Sequence, residues 1–457
     1  MSNKFRSITT LIVLFFIPMV IFSLKQKNNL KKDIQDLIVL KNAITSGLIK
    51  YKLTELREIE ELIGIPHKKN VRKDGGMDIL EISYPKIEII FGKRRHDKSI
   101  PFTLLRVSIN GKTVDIGQKR KLELRNKNDL KKLDNFWGFQ NVSLKNLDLR
   151  EEIELLESMT FDSYTEWPPQ DKLPIGFDPY RLLEEGKNPG LGLRDLHEQG
   201  INGKGIGIAI IDQPLLLGHE EYTSRIIRYD ATGLGGFSPQ MHGSPIVSIA
   251  VGRKIGVAPE AILTYFAVPM WKDDNSFYIQ TLKKIFKINT KLPKGEKIRV
   301  ISISDGGFFS NPGFSEWRET LKEAEQLGIL VVTCDTHFLN YGTLNLIEGE
   351  CPDNPKSYVP GKYVDENDLI RVPTGNKTVA SHRGNDVYTY YRNGGMSWAA
   401  PYIAGLATLA FQIDPYIKPK KIKELLVRTA TKTNSRPIIN PKAFIESIRN
   451  ESKTDKF

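Results

Sequence analysis

The chain has 457 residues and a formal net charge of +12, with 40% hydrophobic and 26% charged residues. That length allows two or three domains with sizeable cores, and a mean hydropathy of −0.31 excludes a chain built mainly of membrane-spanning segments. The basic excess is interspersed with acidic residues and carries no nucleic-acid motif, while two cysteines and seven histidines without a Cys-x-x-Cys or His/Cys cluster provide no zinc site.

In chain order, Lys4 and Arg6 precede the uncharged apolar run Ile8–Leu24. This pattern predicts an export signal or uncleaved anchor over residues 1–27. The expected location is extracytoplasmic, either secreted or held to a membrane by that segment. Leu30 to Ile63 is predicted as a helix, because Ile34, Leu37, Ile38, Leu40, Ile44 and Leu48 recur at helical spacing. Strand-like runs follow at 79–84, 87–91 and 102–109, and Asn110-Gly111 signals a hairpin into 112–116. Residues 28–135 therefore form a small α+β N-terminal domain, either a prosegment or a docking module, with no catalytic constellation. Residues 136–189, with Trp167-Pro168-Pro169 and Pro174, are expected to be a linker.

From residue 190 to 450 the texture is α/β, with short apolar runs alternating with helical segments, which indicates a parallel sheet. The predicted strands are 206–211, 262–268, 298–303 and 329–333. The predicted helices are 244–252, 275–289, 313–327, 399–413 and 419–429. Cys334 and Cys351 are spaced so that either a bridge or two free thiols would fit.

Three side chains in this region carry hydrolytic chemistry. Asp212 ends an apolar strand at the edge where parallel sheets bind ligands. His242 stands just ahead of an apolar helix, and Ser397 follows Gly394-Gly395-Met396 at the start of another. A serine hydroxyl needs a base, histidine can be that base near neutral pH, and an aspartate can hold the imidazole in its useful tautomer. A helix N-terminus suits an oxyanion.

The stretches AIIDQP, HGSPIVSIAVG, IGVAPEA and GGMSWAAPYIAGLA, in that order, resemble the subtilisin-like serine proteases over about residues 190–432. His242-Gly243-Ser244 stands for the family's His-Gly-Thr, and Gly395-Met396-Ser397-Trp398-Ala399-Ala400-Pro401 for Gly-Thr-Ser-Met-Ala-x-Pro. The resemblance implies a parallel sheet with helices on both faces and a serine endopeptidase acting on polypeptide through an acyl-enzyme. It implies the roles of acid, base and nucleophile for Asp212, His242 and Ser397, in the family's order. No metal or organic cofactor is required; calcium belongs to the resemblance alone, with no site identified. The resemblance puts Ser304, Asp305 and Gly306 in a substrate-lining strand and His337, with Asn340 as alternative, at the oxyanion position. Asp305 and Asp335 would then favour a basic side chain before the scissile bond. Three departures stand out: Asp212-Gln213-Pro214 for Asp-Thr-Gly, the Met396 and Trp398 flanks, and Cys334-Asp335-Thr336-His337 where Ala-Ala-Gly-Asn is usual. A catalytically silent protein that binds peptides or envelope partners is the competing reading.

Overall fold

The computed structural model describes Asp36, Leu40, Ala43, residues 54–114 apart from 64–65, 67, 75–76, 85–86, 95–102 and 110–111, and residues 121–454 apart from 232–237, 271, 273 and 434–436. The predicted signal or anchor over Ile8–Leu24 lies outside the described residues. Among the described residues no helix is long and apolar enough to cross a membrane. The chain divides into two compact units. One takes Met1–Asn135, Asn141–Asp148 and Glu166–Pro169; the other takes Phe136–Gln140, Leu149–Thr165 and Gln170–Phe457.

In the first unit, helix α1 (Leu56–Ile63) precedes an antiparallel sheet of β1 (Lys68–Asp74), β2 (Met77–Tyr84), β3 (Ile87–Arg94), β4 (Thr103–Ile109) and β5 (Lys112–Val114), paired in chain order. Alternate residues Leu80, Ile82, Tyr84, Ile87, Ile89 and Phe91 point to one face and bury against Ile59 and Ile63. The single helix expected over 30–63 is interrupted, since Thr54 and Glu55 are not helical. Glu55 N–H donates to the Glu58 carboxylate at 2.7 Å, a reciprocal cap that starts α1 afresh. Strand β1 was not expected, because KKNVRKD has no apolar alternation. It exists through backbone pairing to β2 at the sheet edge, where charged side chains discourage further pairing. The Asn110-Gly111 turn lies outside the described residues, and its flanks pair as Ile109 with Lys112. Two short strands, β6 (Leu122–Glu123) and β7 (Val142–Ser143), also belong to this unit.

The second unit is built on a five-stranded parallel sheet in the order β10 (Ile226–Asp230), β11 (Ile262–Ala267), β9 (Gly207–Asp212), β12 (Ile298–Ile303), β13 (Leu330–Thr333). Ile208 and Ile210 of β9 face one helical layer, and Ala209 and Ile211 face the other. The first layer contains α4 (Leu193–Glu198), α5 (Gly243–Val251), α8 (Met396–Ile413), α9 (Pro419–Arg428) and α10 (Pro441–Thr454). The second contains α6 (Ser276–Lys291) and α7 (Phe314–Gln326). Strands buried on both faces read as continuous apolar runs, which is why four of the five were legible and the more exposed β10 was not. The fold class is thus the expected one, an α/β parallel sheet with helices on both faces and a small α+β unit before it. Two three-stranded sheets complete the unit: β14 (Tyr341–Leu346) lies between β15 (Tyr358–Pro360) and β16 (Ile370–Gly375), and β18 (Tyr388–Tyr391) lies between β17 (Lys377–Ala380) and β8 (Phe161–Asp162).

Residues 136–189 are not a free linker. They carry α2 (Ile153–Ser158), β8 and α3 (Pro179–Glu185), and β8 pairs antiparallel with β18. The buried Arg392 guanidinium donates to Leu156 O at 2.9 Å and Met159 O at 3.3 Å and pairs with Glu348. A two-residue strand has no periodicity to read, and the Pro-rich texture disguised a segment held by backbone pairing. Cys334 and Cys351 are both free thiols, so the bridging alternative is not realised.

Candidate active site

The chain winds outward from β9 in one direction to β11 and in the other to β12. A crevice therefore opens at the carboxyl end of β9, the usual ligand position in such sheets. Asp212 is the last residue of β9 and is fully buried there. Its Oδ1 accepts the Gln213 N–H at 2.7 Å, and the Tyr265 hydroxyl fixes the same turn by donating to Gln213 O at 2.5 Å.

His242 immediately precedes α5. A Cβ on the next residue, Gly243, would fall 2.5 Å from the Tyr265 hydroxyl, so glycine lets the helix start against β11. The imidazole reaches across to Asp212, with Nδ1 2.8 Å from Oδ1 and 3.0 Å from Oδ2. A carboxylate accepting at Nδ1 puts the proton on that nitrogen and leaves Nε2 with its lone pair. Burial pushes the imidazole's pKa down, but the Asp212 charge and hydrogen bond, together with the Asp305 charge, push it up. The net direction is above the ordinary histidine value.

Ser397 is the second residue of α8, which Gly395 enters in extended conformation without a side-chain cap. At Gly394 an added Cβ would meet Thr374 O at 2.1 Å, so the approach to the helix requires glycine. Pro401 sits four residues after Ser397 and has no N–H to return to the Ser397 carbonyl. The Ser304 hydroxyl takes that place, donating to Ser397 O at 3.0 Å. On the other side Trp398 packs edge-on to the His242 ring at 5.7 Å between centroids and to Tyr391 at 5.4 Å. Among the described residues the hydrogen bonds of His242 go to Asp212 and none joins it to Ser397. Such bonds commonly close only when substrate binds.

Ser304 is buried with its hydroxyl donated to the Ser397 carbonyl, and the Asp305 carbonyl accepts Cys334 N–H at 2.8 Å. Gly306 lies against the Cys334 backbone. His337 is held by Asp335. Asp335 captures both its N–H at 2.9 Å and its Nδ1 at 2.6 Å, turning the ring outward between Phe309 and Phe314, where the side chain is 63% exposed. Asn340 precedes β14, and its carbonyl accepts Leu369 N–H at 2.9 Å. Asp335 serves His337 and Asp305 serves Tyr278 of α6, whose hydroxyl donates to its carboxylate. Tyr278 and Tyr265 had no sequence signal, because each acts through a contact between distant elements. Burial pushes the Cys334 thiol up to about 12, which keeps it protonated. Among the described residues no group of three His, Cys, Asp or Glu side chains is arranged to hold a metal ion.

No family model matches the chain. Among curated proteins it is similar to the subtilisin-like protease PopC of Myxococcus xanthus (strain DK1622), with 24% identity over 278 residues, covering 52% of this chain and 58% of that protein. The chain thus spans less than two thirds of that relative's length. Among solved structures, the A-subunit of the AB5 toxin from E. coli aligns with a TM-score of 0.46 and 16% identity, over 57% of this chain and 98% of that one. The prenylagaramide maturation protease PagA aligns at 0.42 and 19%, over 56% and 98%. The PatG macrocyclase domain aligns at 0.42 and 14%, over 57% and 95%. The resemblance to subtilisin-like proteases read from the motifs is therefore shared by a curated protein over about half the chain.

Proposed function

We propose that the chain is a serine endopeptidase in which Ser397 is the nucleophile, His242 the general base and acid, and Asp212 the residue that holds the imidazole. The observation that carries this reading is the Asp212–His242 hydrogen bond at 2.8 Å, with Trp398, the neighbour of Ser397, packed on the same ring. In the reaction Ser397 Oγ bonds to the scissile carbonyl carbon while its proton passes to His242 Nε2. The carbonyl oxygen takes up negative charge at the N-terminus of α8, where the Ser397 N–H points and the helix dipole favours an anion. His242 then protonates the leaving amine, and the C–N bond breaks to leave an acyl-enzyme. Water repeats the cycle in reverse order, restoring the serine hydroxyl. The substrate class is polypeptide. The Ile8–Leu24 run supports an extracytoplasmic place of action, which the N-terminus of protein purified from its host checks directly.

A fluorophosphonate probe tests the central claim. Wild type is expected to label, Ser397→Ala not at all, and Asp212→Asn on the order of 10⁴-fold more slowly. Folded wild-type protein that never labels would replace this reading by that of a peptide-binding protein without turnover. That alternative is favoured by one observation: Nδ1 of His337, the expected oxyanion donor, is engaged by Asp335 and the side chain is largely exposed.

A further inference from the structure

Asp305 follows β12 at the carboxyl end of the sheet, the end at which Asp212 terminates β9, and the reaction as written does not use its carboxylate. It lies two residues beyond Ile303 of β12, which is in register with Ile211 of β9, the residue before Asp212. It also directly follows Ser304, which holds the Ser397 carbonyl. Its Oδ1 accepts the Gly306 N–H at 2.8 Å, and its Oδ2 accepts the Tyr278 hydroxyl. Its main chain is fixed by the bond from Cys334 N–H. Both side-chain bonds come from neutral donors, and among the described residues no Lys or Arg pairs with it. The ionisable groups that act on it or share its surroundings are Tyr278 from α6, Cys334 after β13, Asp212 from β9 and His242 before α5. Of these only His242 can carry a positive charge at neutral pH.

We propose that Asp305 is a positioning residue for His242, a second carboxylate that is oriented by the Tyr278 hydroxyl and stabilises the positive form of the ring together with Asp212. The catalytic consequence rests on the reading given above; the charge coupling itself does not. Burial raises the Asp305 carboxyl, the Tyr278 and Gly306 bonds lower it, the Asp212 charge raises it and the His242 charge lowers it, leaving it above the ordinary carboxylate range. The Asp305 charge in turn raises His242. The imidazole and its two carboxylates titrate as one coupled set. Neutralising Asp305 should free the base at lower pH.

The test is a histidine titration by NMR on the full chain carrying isotope-labelled histidine, with the His242 signal assigned by its loss in His242→Gln. Asp305→Asn is expected to lower the His242 midpoint by about half a pH unit or more. Tyr278→Phe should lower it by less, because Asp305 then keeps its own proton to higher pH. Asp335→Asn, whose partner is His337, should leave the His242 midpoint in place. A folded Asp305→Asn protein with an unshifted His242 midpoint overturns the proposal; if that variant does not fold, an unshifted midpoint in Tyr278→Phe does the same. The acidic limb of the labelling rate should follow the NMR midpoint. Absence of labelling would remove the protease reading and leave the titration result standing.

Discussion

Two bases of the second unit, the half-buried His242 and the buried Lys377, are shifted in opposite directions, and each makes the protein's behaviour depend on pH. His242 is raised, so the stabilisation from its charged pairing with Asp212 is fully present below its unfolded value and lost as pH climbs through the folded one. For turnover the sign is reversed, because the base must be neutral. The acidic limb of kcat/KM is expected above the ordinary histidine value of about 6.5, as a rate profile against pH will show. Lys377 is buried on β17, where among the described residues its ammonium donates to the carbonyls of Asn188 at 3.4 Å and Pro189 at 3.3 Å and lies 5.9 Å from the Tyr402 ring centroid. Burial lowers it from 10.5 to about 7, with the Arg194 charge adding to the effect. Between those values the unfolded chain holds a proton that the folded chain has released, so stability should rise with pH across that window and be flat below it. Lys377→Met is expected to abolish the slope and to stabilise the protein at pH 7, by at most a few kcal/mol. Urea unfolding at pH 7 and pH 10 would measure both. A slope that survives in the variant would assign it to another group.

The element that decides the site is α8, and its first turn is irregular for a reason written in its own sequence. Pro401 cannot supply the helix hydrogen bond to the Ser397 carbonyl, so a hydroxyl from the end of β12 supplies it. The residue proposed as nucleophile is thereby tied to the sheet as well as to the helix. Ser304→Ala leaves that carbonyl unpartnered and is expected to cost about 1–3 kcal/mol of stability. In a Pro401→Ala background the helix can make its own bond, and the same Ser304→Ala change should cost much less. A double-mutant cycle in denaturant reads the coupling, and strictly additive effects would disprove it. The packing of Trp398 on His242 from the same turn is a second tie of this kind.

For the whole molecule, the second unit includes chain that precedes its parallel sheet by many residues. Phe136 packs at 5.3 Å on Tyr391, which continues through Trp398 to His242. β8 completes the sheet with β17 and β18, and Arg392 depends on the carbonyls of α2 and the residue after it. A chain truncated to begin at residue 170 would keep all three residues of the proposed chemistry and still bury a guanidinium that has lost both carbonyl acceptors and keeps only Glu348, beside an open sheet edge. It is expected to lose its cooperative thermal transition, monitored by circular dichroism. Retention of the full-length transition would return residues 136–165 to the status of a linker.

What the sequence by itself determined is everything governed by local chemistry: the doubly buried strands with unbroken apolar runs, the helices after His242 and around Ser397, and the identities of Asp212, His242 and Ser397 at the ends of those elements. Burial on two faces and entry into a helix each leave a mark within a few residues. Tertiary structure alone decided what those ends meet. His337 is a local exception: Asp335, two residues before it, binds its ring and its backbone together, and the fold adds only the contacts with Phe309 and Phe314. Asp305 was expected to contact substrate, and what its carboxylate meets, the hydroxyl of Tyr278 from α6, is a contact between separate elements. The segment from 136 to 165 carried no periodicity, and only its pairing with strands more than two hundred residues later showed that it belongs to the core. Contacts of such separation depend on the closed fold, and no window of local sequence contains both partners.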